Sequence, residues 1–149
     1  MDVPINISRD RPFSQTLRRL KDAGLRPTRQ RLALGKLLFD AGDRHVTAEQ
    51  VYAEAGEQGI KVSLATIYNT LNQFTVSGLM REVVVAPGRS YYDTNTEDHH
   101  HFFYEDDGAL KDIPLDAIAL SVMPDAPADS EVSRVDVIVR LRPAVDNQS

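Results

Sequence analysis

The chain has 149 residues, 42% hydrophobic and 26% charged, which describes a folded protein of one ordinary domain or two small ones and excludes a disordered chain. It has no Cys, which excludes disulfides, iron–sulfur clusters and any Cys-type structural zinc. The formal net charge of −5 is unevenly spread: residues 1–92 hold 13 Lys and Arg against 9 Asp and Glu, and residues 93–149 hold 4 against 13, a division that suggests two lobes with different partners.

Residues 1–10 read as a loose leader without the basic and apolar regions of a signal peptide, and no apolar run approaches the roughly 20 residues that span a bilayer. The expectation is a cytoplasmic protein with no membrane partner. Phe13, Leu17 and Leu20 make a short helical stripe ending at Gly24. Pro27 keeps Arg26 extended, and Thr28 can cap a helix through about Ala41 with Leu34, Leu37, Leu38 and Ala41 facing inward. Thr47 as N-cap and Gln50 at N3 form a capping box, with Val46 stapling to Val51, so a third helix runs to about Glu57. A short extended piece follows, Ile60 to Val62.

The run from Val62 to Gly78 is a fourth helix, with Leu64, Ile67, Leu71 and Phe74 in one stripe, Ser63 as N-cap and Gly78 as the C′ residue. Its other face carries Ala65, Thr66, Asn69, Asn72 and Gln73, with Tyr68 at the margin, and no charged residue lies anywhere in the run. A solvated face normally carries Lys, Glu or Arg. A neutral face of amide and small side chains suits base edges in a DNA major groove, where Asn and Gln pair with adenine and methyl groups touch thymine. Met80 to Ala86 and Arg89 to Asp93 read as a two-stranded hairpin across Pro87-Gly88. Helices followed by a hairpin make a winged helix-turn-helix, whose last helix enters the groove. Arg26, Ser63, Ala65, Thr66, Tyr68 and Asn69 are therefore candidate DNA contacts, with Arg26 suited to a phosphate or a minor groove.

Residues 94–98 read as a hinge, so the chain divides into a winged-helix domain over 1–93 and a small α/β dimerisation and ligand-sensing domain over 94–149, an α+β fold overall. In the second domain, His101 to Tyr104 and Ala109 to Ile113 read as strands about a turn at 105–108, and Leu115 to Leu120 as a short helix. A strand with one apolar face is expected through Val135, Val137, Val139 and Leu141. A lobe of 56 residues is marginal alone, and a second copy would complete it, so a homodimer on a palindromic or direct-repeat, AT-rich operator is expected.

The four histidines fall at His45 and at His99-His100-His101. In an extended triplet His99 and His101 share a face, so with His45 and Asp93 they could hold one ion bridging both lobes. Imidazole with carboxylate suits Mn, Fe or Zn. Phe102, Phe103 and Tyr104 beside the imidazoles also suit haem, with His99, His100 and His101 as its candidate contacts.

The segments Leu25-Arg26-Pro27-Thr28-Arg29-Gln30-Arg31, His45-Val46-Thr47-Ala48-Glu49, Leu64 to Leu71 and His99-His100-His101 together resemble the ferric uptake regulator family over about residues 13–142. The resemblance implies a dimeric transcriptional regulator with a winged helix before a dimerisation lobe. It places Tyr68 and Asn69 where the family has a base-contacting Tyr and Arg, and Arg26 where it has a basic minor-groove residue. The Asn for Arg difference implies another operator. The family's Cys-x-x-Cys motifs are absent, its HHHDH run reads His99-His100-His101-Phe102-Phe103, and Asp93 stands for a Glu ligand; Asp112 and Asp136 fall near later ligands, which puts a second site in doubt. Loss of Cys with retention of the triplet resembles the haem-responsive iron response regulator branch of alpha-proteobacteria, though the N-terminal Cys-Pro haem motif of some members is absent. The expected function is a DNA-binding regulator, mainly a repressor, of iron and haem metabolism, modulated by haem or a divalent metal, and not an enzyme. The alternatives are a conventional Fe, Mn or Zn regulator and, from another class, a small metalloenzyme, which no HExxH, nucleophile elbow or Gly-rich phosphate loop supports.

Overall fold

A computed structural model describes residues 13–145, so the leader expected over residues 1–10 lies outside the described residues. The chain divides into two compact units, Met1–Thr96 and Glu97–Ser149. It is a mixed α+β protein, a winged helix followed by a small sheet unit.

The first unit contains α1 (Ser14–Asp22), α2 (Arg29–Phe39), β1 (His45–Val46), α3 (Ala48–Glu57), α4 (Leu64–Val76), β2 (Arg81–Ala86) and β3 (Arg89–Asp93). Local chemistry fixes the helix ends. The Thr28 hydroxyl accepts the N–H of Arg31 at 3.2 Å, and Ser63 accepts that of Thr66 at 3.1 Å. At α3 both halves of the capping box form: Thr47 accepts from the Gln50 N–H at 3.1 Å, and Gln50 accepts from the Thr47 N–H at 2.8 Å. α4 closes in a Schellman motif, with Leu79 N–H to Phe74 C=O at 2.8 Å and Gly78 N–H to Thr75 C=O at 3.1 Å. That motif requires the left-handed φ of +85° at Gly78.

Each cap is worth about 1 kcal/mol, whereas each fully buried aliphatic or aromatic side chain contributes about 1.5–3 kcal/mol. Burial therefore decides how the helices pack. Leu20, Leu34, Leu38, Val46, Val51, Ile67, Leu71, Phe74 and Met80 form one cluster joined by Tyr92 from β3. α1 and α2 approach closely at Gly35, where a Cβ would stand 2.7 Å from Thr16 Cγ2.

Several sequence expectations change here. α2 ends at Phe39, and Ala41 is exposed instead of facing inward. Phe13 is the exposed N-cap of α1, not part of a buried stripe. His45–Val46 is a strand that the sequence reading did not include, and it pairs antiparallel with β3 to give the order β1-β3-β2. The wing is thus three-stranded, since β3 presents a second edge that a two-residue strand can fill.

In the second unit β4 (His100–Tyr104) is central, antiparallel to β5 (Leu110–Ile113) and parallel to β6 (Ile138–Leu141). Residues 105–108 turn the β4–β5 hairpin with Gly108 at a φ of +73°. The expected helix over Leu115 to Leu120 is a single 3₁₀ turn, Leu115–Ala117, and the strand expected from Val135 begins only at Ile138, leaving Val135 exposed. Residues 118–137 form no helix or strand. A strand needs a neighbour to satisfy its N–H and C=O groups, and alternation alone does not supply one.

Candidate functional site

α4 buries Ile67, Thr70, Leu71 and Phe74, leaving Ala65, Tyr68, Asn69, Asn72 and Gln73 exposed and Thr66 half-buried, with Ser63 exposed at its start. No residue of that helix is charged. Alongside it runs an open cleft of about 470 Å³, lined by Thr66, Asn69 and Gln73 on one wall and by Arg26, Thr28 and Arg31 on the other. Thr28's capping of α2 holds this second wall in place. Arg31 donates from Nη1 to the Arg26 carbonyl at 2.8 Å, and from Nε and Nη2 to Gln73 Oε1 at 3.3 and 3.0 Å. These bonds brace the segment carrying Arg26 against α4. They also commit the Gln73 carbonyl, so Gln73 meets a ligand through its NH₂ and cannot pair with adenine in the bidentate manner expected from the sequence.

Two further bonds fix the exposed face. The Tyr92 hydroxyl of β3 donates to Asn72 Oδ1 at 3.0 Å, and the Tyr68 hydroxyl donates to Glu49 Oε1 at 2.6 Å. Accepting this bond holds the Glu49 carboxyl below the ordinary carboxylate range, and donating it pushes the Tyr68 phenol up. Tyr92 is pushed up chiefly by burial, then by the charge of Glu82. At neutral pH Glu49 is therefore ionised and both phenols keep their donor protons.

Nitrogen and carboxylate donors collect in each unit. In the first, the β1–β3 register sets His45 directly opposite Asp93, with Nε2 3.3 Å from Oδ2. Asp93 is buried, and its Oδ1 accepts the Asn95 N–H at 2.9 Å. Arg44 and Thr94 clip this pair from outside: Arg44 N–H reaches Thr94 Oγ1 at 2.9 Å, and Thr94 N–H reaches the Arg44 carbonyl at 3.0 Å.

In the second unit the hairpin register sets His101 opposite Asp112, and His99 lies two residues back on the same face. The His99 and His101 rings meet edge-on with centroids 4.5 Å apart. Their Nε2 atoms lie 3.2 and 3.4 Å from Asp112 Oδ1. The other nitrogen of His99, Nδ1, is 2.5 Å from the Glu97 carbonyl, which can only accept. Nδ1 must carry the proton, so in a neutral ring Nε2 presents a lone pair to a carboxylate oxygen. That arrangement is attractive only if the ring is an imidazolium or a cation lies between them. His100 points to the other face, where its Nδ1 accepts the Val137 N–H at 3.2 Å and holds the entry to β6.

The structure thus pairs His45 with Asp93, and His99 with His101, each within its own unit. It adds Asp112, which the candidate ligand set omitted. A four-residue turn at 105–108 pairs residue 101 with 112, and that register was the available signal. The donor chemistry is imidazole nitrogen and carboxylate oxygen without sulfur, which suits Mn, Fe or Zn. The hydrogen bond from His99 to Glu97 is the outer support that ligating histidines usually have.

The model of the Ferric uptake regulator family matches residues 22–136. The ferric uptake regulation proteins of Neisseria meningitidis serogroup A and Vibrio cholerae are each 35% identical to the chain over 80 residues, 54% of this chain and 56% and 53% of those proteins. The chain thus spans about half the length of the curated relatives it matches. Among solved structures, the ferric uptake regulator of Pseudomonas aeruginosa with manganese superposes with a TM-score of 0.64 at 24% identity, covering 86% of this chain and 97% of that one. The Vibrio cholerae ferric uptake regulator gives 0.66 at 22%, covering 85% and 98%. At these identities the structures establish the fold. With the family model matched over most of its length, the chain belongs to the ferric uptake regulator family.

Proposed function

We propose that this chain is a metal-dependent transcriptional regulator of iron metabolism, mainly a repressor, that binds double-stranded DNA as a cytoplasmic homodimer. The observation that carries the reading is α4, a helix with no charged residue whose outward face offers Tyr68 and Asn69 beside the cleft holding Arg26. Residues near the start of such a helix read bases, so Ser63, Ala65, Thr66, Tyr68 and Asn69 are the reading set. Asn69 can pair with adenine N6 and N7, and Ala65 and Thr66 offer methyl groups to thymine. An AT-rich operator follows from those side chains. Arg26 supplies a cation that positions the duplex without reading it.

For the ligand we favour a divalent ion held by His45, Asp93, His99 and His101, with Asp112 added. Manganese and iron accompany two structures of this fold, and a third is a zinc-bound manganese uptake regulator. Only residues 94–98 separate Asp93 from His99, at most about 20 Å of chain, so one ion can draw ligands from both ends of that connection. Such an ion would neutralise the carboxylates and tie the reading unit to the dimerising one. Binding shifts DNA affinity only if the ion prefers the DNA-competent arrangement.

Dimerisation is supported by the second unit's composition. It buries only Phe103 and Ile113 among its described hydrophobic residues, while Val122 is 85% exposed and Leu120, Met123 and Val132 lie open on the same strap. A second copy covering these residues makes up the missing core.

The experiment is selection of duplexes from a random pool by the full chain, with manganese chloride or with chelator, followed by footprinting. Enrichment of a two-fold symmetric or directly repeated sequence only with metal is the expected result. Metal-independent enrichment refutes the switch, and no enrichment refutes the regulator. Haem is the finer reading of the triplet. It is tested by titrating haem into the wild type and the His99→Ala/His101→Ala variant, where an identical Soret band removes these residues from haem binding. His99 and His101 turn Nε2 toward the Asp112 carboxylate, a mixed nitrogen and oxygen donor set that favours the ion.

A further inference from the structure

We propose that Glu49 is a positioning residue for base recognition, one that gives the operator interface its preference for thymine by fixing the ring of Tyr68. This rests on the DNA-binding reading above. Glu49 lies in the first turn of α3 and Tyr68 in the second turn of α4, so their bond joins the two helices of the helix-turn-helix at its exposed surface. Tyr68 is 39% exposed, and it is the aromatic ring that α4 presents on its outward side. A tyrosine there would ordinarily sample several rotamers, and immobilising it on binding would weaken the complex. The 2.6 Å bond to Glu49 removes that freedom before DNA arrives.

The bond also decides what Tyr68 can read. Its only O–H is given to Glu49, so the hydroxyl cannot donate to guanine O6 or N7 or to thymine O4. What remains is the ring, an apolar surface for the thymine C5-methyl, and the phenol oxygen as an acceptor for adenine N6 or cytosine N4. Of these, the ring's contact with the methyl group is the one that selects A·T pairs. An ionised Glu49 at the edge of a DNA-facing surface repels phosphates. A carboxylate in that place is costly for general DNA affinity, and positioning Tyr68 gives it a purpose.

The test uses the full chain with manganese chloride and the duplex enriched from the random pool, replacing each thymine in turn with uracil to remove only the methyl group. Wild type should lose about fourfold in affinity at one thymine per half-site, the worth of one buried methyl. Glu49→Ala should abolish that thymine-over-uracil preference. Glu49→Gln, whose amide oxygen still accepts from the phenol, should restore it while binding all duplexes more tightly. Tyr68→Ala should show no preference, and Tyr68→Phe, which keeps the ring but loses the tether, should match Glu49→Ala. A wild type indifferent to uracil everywhere, or a folded Glu49→Ala retaining the full preference, overturns the proposal. Failure of the pool to enrich any duplex is instead the failure of the DNA-binding reading.

Discussion

The two units reach order by different means. The first buries a continuous cluster from four helices and the wing, including Leu38, Ile67, Leu71 and Phe74, each no more than 1% exposed. Among its described residues the second buries two hydrophobic side chains and three histidines, and it trails residues 118–137 without regular structure. A sheet of three short strands cannot hide enough apolar surface to offset the ordering of its chain. The first unit has the core of an independent fold, and the second has the makings of an interface and a ligand site.

The largest effect that would break this contrast is in the first core. Phe74→Ala should remove about 3–5 kcal/mol of unfolding free energy from the first unit, read by thermal or urea denaturation. A loss below 1 kcal/mol would mean that the cluster does not hold the unit. Val122→Asp, on the strap of the second unit, should leave that transition in place but convert dimer to monomer in sedimentation. Each copy forfeits about 1.5–3 kcal/mol of burial and gains a charge to desolvate. Unchanged dimerisation would move the interface elsewhere.

Asp112→Asn sharpens the ligand side of the comparison. It should weaken manganese binding by about tenfold or more in calorimetric titration. Wild-type affinity would return Asp112 to being a bystander. A smaller expected change is Thr47→Ala, which removes one half of the α3 capping box and should cost about 1 kcal/mol.

The smallest effect is on titration. The Glu49 carboxyl is held below its ordinary value by Tyr68, so its contribution to stability is present above the ordinary carboxylate pKa and lost as pH falls through the lowered folded value. The Tyr68 phenol is raised by the same bond, so its contribution is complete below the ordinary phenol pKa and lost as pH rises through the raised one. Both groups are exposed at the surface, so the changes will be slight. Phenolate absorbance should still appear at lower pH in Glu49→Ala than in wild type. Coincident curves would mean that the bond is not held in solution.

Much of the first unit is legible in its residues. Thr28, Thr47 and Ser63 announce helix starts because a hydroxyl before a helix can satisfy an orphan N–H, and Gly78 announces a stop because it tolerates positive φ. The stripe Ile67, Leu71 and Phe74 declares its buried face, and thereby its opposite. The second unit is less legible: Val135 alternates like a strand residue yet stands exposed, because alternation describes a surface that wants covering and does not say what covers it. Phe13 and Ala41 failed likewise, since at helix ends burial depends on what lies beside the terminus.

The sequence by itself determined where α2, α3 and α4 begin and where α4 ends, that α4 carries no charge, and that the ligand atoms are nitrogen and oxygen without sulfur. These are properties of neighbours in the chain and of side-chain chemistry. Only the tertiary structure decided that His45 joins a strand to face Asp93, that Arg31 occupies the Gln73 carbonyl, and that Glu49 holds Tyr68. Each of these unites groups distant in sequence. Strand register and helix packing choose such partners through the burial of whole faces, which no local pattern contains.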